Sequence, residues 1–126
     1  VEGWKDAYQI QGALEGHDYG IIVTDGTKFN NALAIKINKT IEEGYTPYIL
    51  SDPDEAGDHL AVMINHHFPD IERINADYEH CKYCKDLRKK KFKAGIEYSS
   101  YKYLKNLLYP YLGLIYVDPN RQWLYL

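Results

Sequence analysis

Acidic side chains crowd one short stretch of this 126-residue chain, Ser51-Asp52-Pro53-Asp54-Glu55-Ala56-Gly57-Asp58, directly after the apolar run Tyr48-Ile49-Leu50. Two unit charges ~4 Å apart repel by about 4 kcal/mol at a surface-like dielectric. A helix N-terminus returns only roughly 0.3–1 kcal/mol per acid. A divalent cation relieves that repulsion better, and a hard ion such as Mg²⁺, or Mn²⁺, takes carboxylate oxygens. The same residues also suit a plain helix start, with Asp52 as N-cap, Pro53 at the first helical position and Glu55 at the third. Both readings stand at this point. Glu2, followed by Gly3 and Asp6, is a second acidic motif far away in sequence.

The elements around these acids decide whether they meet. Tyr45–Leu50 reads as a buried strand, and Pro53 biases Asp52 toward extended backbone, making Asp52 the last extended residue and Asp54 part of the first helical turn. Earlier, Val1-Glu2-Gly3 precedes a helical pattern with Ala7, Ile10 and Leu14 on one face and Gly16 near its end. Gly20–Thr24 is β-branched and closed by Asp25-Gly26, and a helical pattern then runs through Phe29, Leu33, Ile37 and Ile41 to Gly44. A third helix carries Leu60, Ala61, Ile64 and Phe68 inward until Pro69, and Ile71–Asn75 alternates like a strand. Ser99 or Ser100 caps a fourth helix with Tyr101, Leu104, Leu107 and Leu108 on one face, ended by Pro110. Leu114–Val117 and Gln122–Leu126 flank Asp118-Pro119-Asn120-Arg121, a hairpin turn.

Strands alternating with helices at this spacing predict an α/β fold with a mostly parallel sheet, right-handed crossovers and helices on both faces. The C-terminal hairpin is a small appendage. Glu2, Gly26 and Asp52 then fall on one sheet edge, where ligands bind in such folds. The expected organisation is a single domain over residues 1–126, with a core of about 1–109 and a tail from 110 to 126. The chain opens at Val1 in what reads as the end of a strand, and further residues are expected upstream.

A net charge of −3 does not by itself point to nucleic acid, so the distribution of charge carries that reading. Lys82, Lys85, Arg88, Lys89, Lys90, Lys91 and Lys93 are offset only by Asp86, the footprint expected for phosphate-backbone contact. A solvated helix face or loop is the plainer alternative. No apolar run is long enough to span a membrane. Cys81 and Cys84 suit a reducing cytoplasm. With His80 they are also half of a zinc site that His59, His66 and His67 would have to complete; reduced, ordinary cysteines are the simpler reading.

Taken together, Glu2-Gly3 with Asp6 after the first strand, and Asp52-Pro53-Asp54 with Gly57 after a later one, resemble the Toprim domain shared by topoisomerases, bacterial primases and several nucleases. Thr24-Asp25-Gly26-Thr27 and Gly95-Ile96-Glu97 before a Ser-capped helix are similar too. Small Toprim proteins and the Toprim half of ribonuclease M-five are the most alike, and the resemblance covers roughly Val1 to Leu108. It implies a Rossmann-like doubly wound sheet and Mg²⁺ held by Asp52 and Asp54. Glu2 is implied as general acid/base or as a ligand of a second ion, and Asp6, Asp58 and Glu97 as secondary candidates. The implied activity is Mg-dependent phosphodiester cleavage of RNA or DNA. Two alternatives remain: a nucleic-acid-binding module that does not cut, or cuts only with a protein partner or as a homodimer, and a phosphatase-like phosphoryl-transfer domain. Against the last, Ala56 stands where such phosphatases carry Thr.

Overall fold

The computed structural model describes residues 1–26, 28–76 and 95–114, together with the backbone of 85–86 and 91–92. Helix α1 spans Trp4–Ala13 and α2 spans Asn31–Glu42; strand β1 (Tyr48–Ile49) leads to helix α3 (Glu55–His67) and strand β2 (Glu72–Arg73). Strands β3 (Lys85–Asp86) and β4 (Lys91–Phe92) follow. A 3₁₀ turn, Ile96–Tyr98, precedes helix α4 (Tyr101–Leu108), which runs on as 3₁₀ over Tyr109–Leu112. Gly113, at φ +71°, closes this end. Pro110 therefore tightens the helix into 3₁₀ where the sequence predicted a stop.

The parallel arrangement is present in two places. β1 pairs with β2 in parallel, Tyr48 opposite Glu72 and Ile49 opposite Arg73. At the chain's start, the Val1 N–H donates to the Ile22 carbonyl at 2.9 Å and the Thr24 N–H donates back to the Val1 carbonyl at 2.9 Å. That bracketing of Val1 between residues 22 and 24 is the bond pattern of a parallel ladder. The predicted strand Gly20–Thr24 is thus paired only over its second half. Asp25, at φ +55°, and Gly26, at φ +127°, then turn the chain so that the Gly26 N–H reaches the Glu2 carbonyl at 3.1 Å.

Two apolar clusters lie on opposite faces of the strands. Ile10 and Ala13 of α1 and its capping residue Leu14 pack with Leu50, Ile74, Ile96, and Leu104 and Leu108 of α4. Leu33 and Ile37 of α2 pack with Ile49, Ile71, and Leu60, Ala61 and Ile64 of α3. Ile49 and Leu50 point to different clusters, as successive strand residues must, so α1 and α4 cover one face while α2 and α3 cover the other. This is the α/β layering predicted from the sequence. Ile41 departs from the predicted inward face: it is exposed in the last turn of α2. A cavity of about 630 Å³ lies between the segments around Gly20–Ile22 and Tyr48–Leu50, lined by both clusters and by none of the clustered acids.

Several sequence expectations fall beyond these residues. The hairpin around Asp118-Pro119-Asn120-Arg121, the Cys81/Cys84 pair with His80, and Lys82, Arg88, Lys89, Lys90 and Lys93 lie outside the described residues. Within the basic run, β3 and β4 pair antiparallel, Lys85 opposite Phe92 and Asp86 opposite Lys91.

Candidate metal and phosphoryl-transfer site

Glu2 and Asp52, fifty positions apart, meet at the strand ends. The Glu2 carboxylate accepts the Asp52 backbone N–H at 2.9 Å. The Asp52 carboxylate accepts the Ile96 N–H at 3.3 Å, from the first residue of the 3₁₀ turn. The next amide, of Glu97, donates to Asp6 at 3.1 Å, and the second oxygen of Asp6 takes the Gly3 N–H at 3.1 Å. Two successive amides of one turn thus hold two carboxylates from two other elements. Asp6 is only 5% exposed, so its negative charge reaches Asp52 through little water.

The electrostatics follow from this packing. Burial, then the charge of Glu2 and its side-chain hydrogen bond, push the Asp52 carboxyl up to about 6, while the Ile96 amide pulls the other way. The carboxyl of Asp6 is raised by burial and by the charge of Asp52, against the pull of the Gly3 and Glu97 amides. The acid with the strongly raised proton affinity is therefore Asp52.

Asp54 does something else. It is the N-cap of α3, its side chain accepting the Gly57 N–H at 2.7 Å. The cap is two residues later than the sequence predicted, because the Asp52 carboxylate is turned to Ile96 and Glu2 and cannot serve the helix. Gly57 makes the juxtaposition possible. A Cβ at residue 57 would collide with the Asp52 carbonyl oxygen and crowd its backbone nitrogen, so only glycine lets the first turn of α3 lie against Asp52. Ser51, fully buried, donates to the Gly57 carbonyl at 2.8 Å and closes the same corner.

Asp58 pairs with Arg73 at 2.6 Å, and the other arm of that guanidinium donates to the Asp52 carbonyl at 3.0 Å. The buried Arg73 Nε has no partner among the described residues. Arg73 is the residue that sequence reading missed; its only signal was a cation inside an alternating strand at the acidic edge. The backbone amides of Ile96 and Glu97 were likewise unanticipated, since amide direction leaves no trace in residue type. His67, for which a zinc role was considered, stacks on Phe29 at 4.3 Å and its ring nitrogen lies 3.1 Å from the Met63 carbonyl.

The donors at this corner are all carboxylate oxygens, the chemistry a hard divalent cation takes. Glu2 and Asp52 are close enough to repel, and a cation beside them would offset the repulsion that, after burial, raises Asp52. Asp54 keeps one oxygen free of partners among the described residues. As they stand, no three acidic, histidine or cysteine side chains converge to hold an ion among the described residues.

Compared with protein families, residues 1–92 match the Toprim domain. The chain belongs to the Toprim family. A comparison with curated proteins finds no match. Toprim domains bind divalent metal and act on nucleic acid, and the Glu2 and Asp52–Asp54 motifs lie within the matched span. Among the described residues, no helix is long and apolar enough to cross a membrane.

Proposed function

We propose that this Toprim chain, read as one domain over residues 1–126, cleaves phosphodiester bonds in nucleic acid with Mg²⁺, in the manner of a ribosomal-RNA-processing nuclease. The observation that carries the reading is the meeting of Glu2 with Asp52 at the strand ends, where burial and mutual repulsion leave Asp52 with a carboxyl pushed up to about 6. Acids held at that cost are a mark of a site rather than of a solvated surface.

Asp52 and Asp54 would hold the ion, with Glu2 as general acid/base or as ligand to a second ion. When bound, Mg²⁺ supplies a Lewis acid at the scissile phosphate. The chain supplies position. The Asp52 N–H fixes the Glu2 carboxylate, the Ile96 N–H fixes that of Asp52, and Arg73 ties the Asp52 carbonyl to Asp58. Glu2, so fixed, would give a proton to, or take one from, an oxygen at the strand edge. Asp6, locked between two amides, acts as a buried negative charge behind Asp52. Asp58 is engaged by Arg73 and serves the scaffold. The basic residues Lys82, Lys85, Arg88, Lys89, Lys90, Lys91 and Lys93 would grip the phosphate backbone.

One observation favours a second reading, a module that binds metal and nucleic acid but cuts only with a partner: Asp54 spends an oxygen on capping α3. Purified protein incubated with Mg²⁺ and structured RNA or nicked DNA separates the two. Cleavage that disappears in Asp54→Asn supports the nuclease, whereas tight Mg²⁺-dependent binding with intact substrate supports the module.

A further inference from the structure

The outer face of α1 carries a feature that the carboxylate site does not use. Trp4 and Tyr8 are 58% and 64% exposed, and at a spacing of four residues they are neighbours on one helix face. Another four residues on, Gly12 has no side chain, and a Cβ there would collide with the Tyr101 ring. That ring, from α4, takes the place a side chain at residue 12 would fill, and Tyr101 is itself 48% exposed. Trp4, Tyr8 and Tyr101 thus follow one another along one surface, by helix spacing for the first two and by the position of the third ring at Gly12. Aromatic side chains bury about 150–250 Å² each when packed, so two of them more than half exposed on consecutive turns make an apolar surface of the kind that marks a contact.

The row starts one residue beyond Glu2-Gly3, at the carboxylate corner. Lys5 is exposed beside Trp4, and the one acid in α1, Asp6, is turned inward and buried. The outward face from Trp4 to Gly12 therefore carries Trp4, Tyr8, Gln11 and the one cation Lys5, without an exposed carboxylate. We propose that this row is a stacking platform for unpaired bases, so that the nucleic acid led to Glu2 and Asp52 is single-stranded there. What happens to the strand at the carboxylates rests on the phosphodiester reading above; the stacking does not. Base–aromatic stacking is worth about 1–3 kcal/mol per base and tolerates any sequence, whereas a duplex hides its base faces. Lys5 meets the phosphate chain alongside.

The test is fluorescence titration in EDTA, which excludes cleavage, on a Trp123→Phe background that leaves Trp4 the only tryptophan of the two. Short oligouridine, oligodeoxythymidine and a duplex of equal length are the probes. Both single strands should quench Trp4 and bind at least tenfold more tightly than the duplex; the ratio between the two distinguishes RNA from DNA as the preferred strand. With affinities read by anisotropy of fluorescein-labelled strands, because the Trp4 variants lack the tryptophan signal, Trp4→Ala and Tyr8→Ala should each weaken single-strand binding about 5- to 150-fold, with duplex binding unchanged and Trp4→Phe largely intact. Absence of quenching, or equal affinity of the Ala variants for single strands, overturns the proposal. So does a loss of self-association in those variants at unchanged nucleic-acid affinity, which would make the row a protein contact. Because binding is read without metal, protein that stacks strands but never cuts leaves this inference standing and removes the nuclease reading. Protein that cuts but is indifferent to Trp4→Ala and Tyr8→Ala does the reverse.

Discussion

Replacing Asp52 with Asn should make the metal-free protein more stable at pH 7. The Asp52 carboxyl rises from 3.8 to about 6, through burial first and the Glu2 charge second. An acid whose pKa is raised on folding favours the folded state when protonated. That contribution is complete below about pH 4 and is lost as pH climbs through about 6. At pH 7 the ionised side chain is therefore a net cost, ~3 kcal/mol if each pH unit counts fully, reduced to about 1–2 kcal/mol because Asp52 keeps some contact with water. Asn keeps an oxygen for the Ile96 amide and removes the charge facing Glu2. Thermal and urea unfolding in EDTA measure the outcome. The wild type should gain stability as pH falls from 7 toward 5, while Asp52→Asn should gain about 1–2 kcal/mol at pH 7, roughly 3–10 °C in Tm for a chain of this size, with a flatter pH profile. Added Mg²⁺ should then stabilise the wild type and leave the variant unmoved, since only a ligand that binds the folded state shifts its stability. A destabilised Asp52→Asn at pH 7, or a wild-type profile flat between pH 5 and 7, would show that Asp52 carries no such charge cost.

Gly57→Ala drives a methyl into the Asp52 carbonyl and should cost about 1–3 kcal/mol in unfolding free energy, the range for forced overpacking, with a parallel loss of Mg²⁺ affinity by calorimetry. Asp54→Ala removes the cap of α3 and should cost about 1 kcal/mol, whereas Asp54→Asn caps nearly as well as Asp; Mg²⁺-dependent cleavage should vanish in both, separating chemistry from capping. Arg73→Met leaves the Asp58 carboxylate and the Asp52 carbonyl without their shared partner and should lower stability by about 1–3 kcal/mol, read by urea unfolding.

The α/β layering was legible because each helix declares its buried stripe in residue type: Ile10 with Leu14, Leu33 with Ile37, and Leu60 with Ile64 reappear as core. The meeting of Glu2 with Asp52 was legible for a topological reason, since parallel strands put their C-terminal ends on one edge. Local geometry at that edge was not. Which acid caps α3 depended on where the Asp52 carboxylate was already committed, and that commitment is to an amide over forty positions away at Ile96. Asp58 and Glu97 looked like further ligands by type, yet the first is drawn off by Arg73 and the second contributes its backbone N–H to Asp6. Trp4 and Tyr8 show the converse limit: their spacing predicts neighbours, but only the empty Cβ position at Gly12 shows that the Tyr101 ring lies over the same helix one turn on.

On the proposed function, Glu2, Asp52 and Asp54 share a divalent ion. A crystal soaked in Mn²⁺ and measured at the manganese edge tests it most directly. The expected result is an anomalous peak at carboxylate-ligand distance from Asp52 and Asp54, on the side facing Glu2, with Asp54 released from the Gly57 amide. Manganese bound elsewhere, with Asp54 still capping α3 and Glu2 still on the Asp52 N–H, would contradict it.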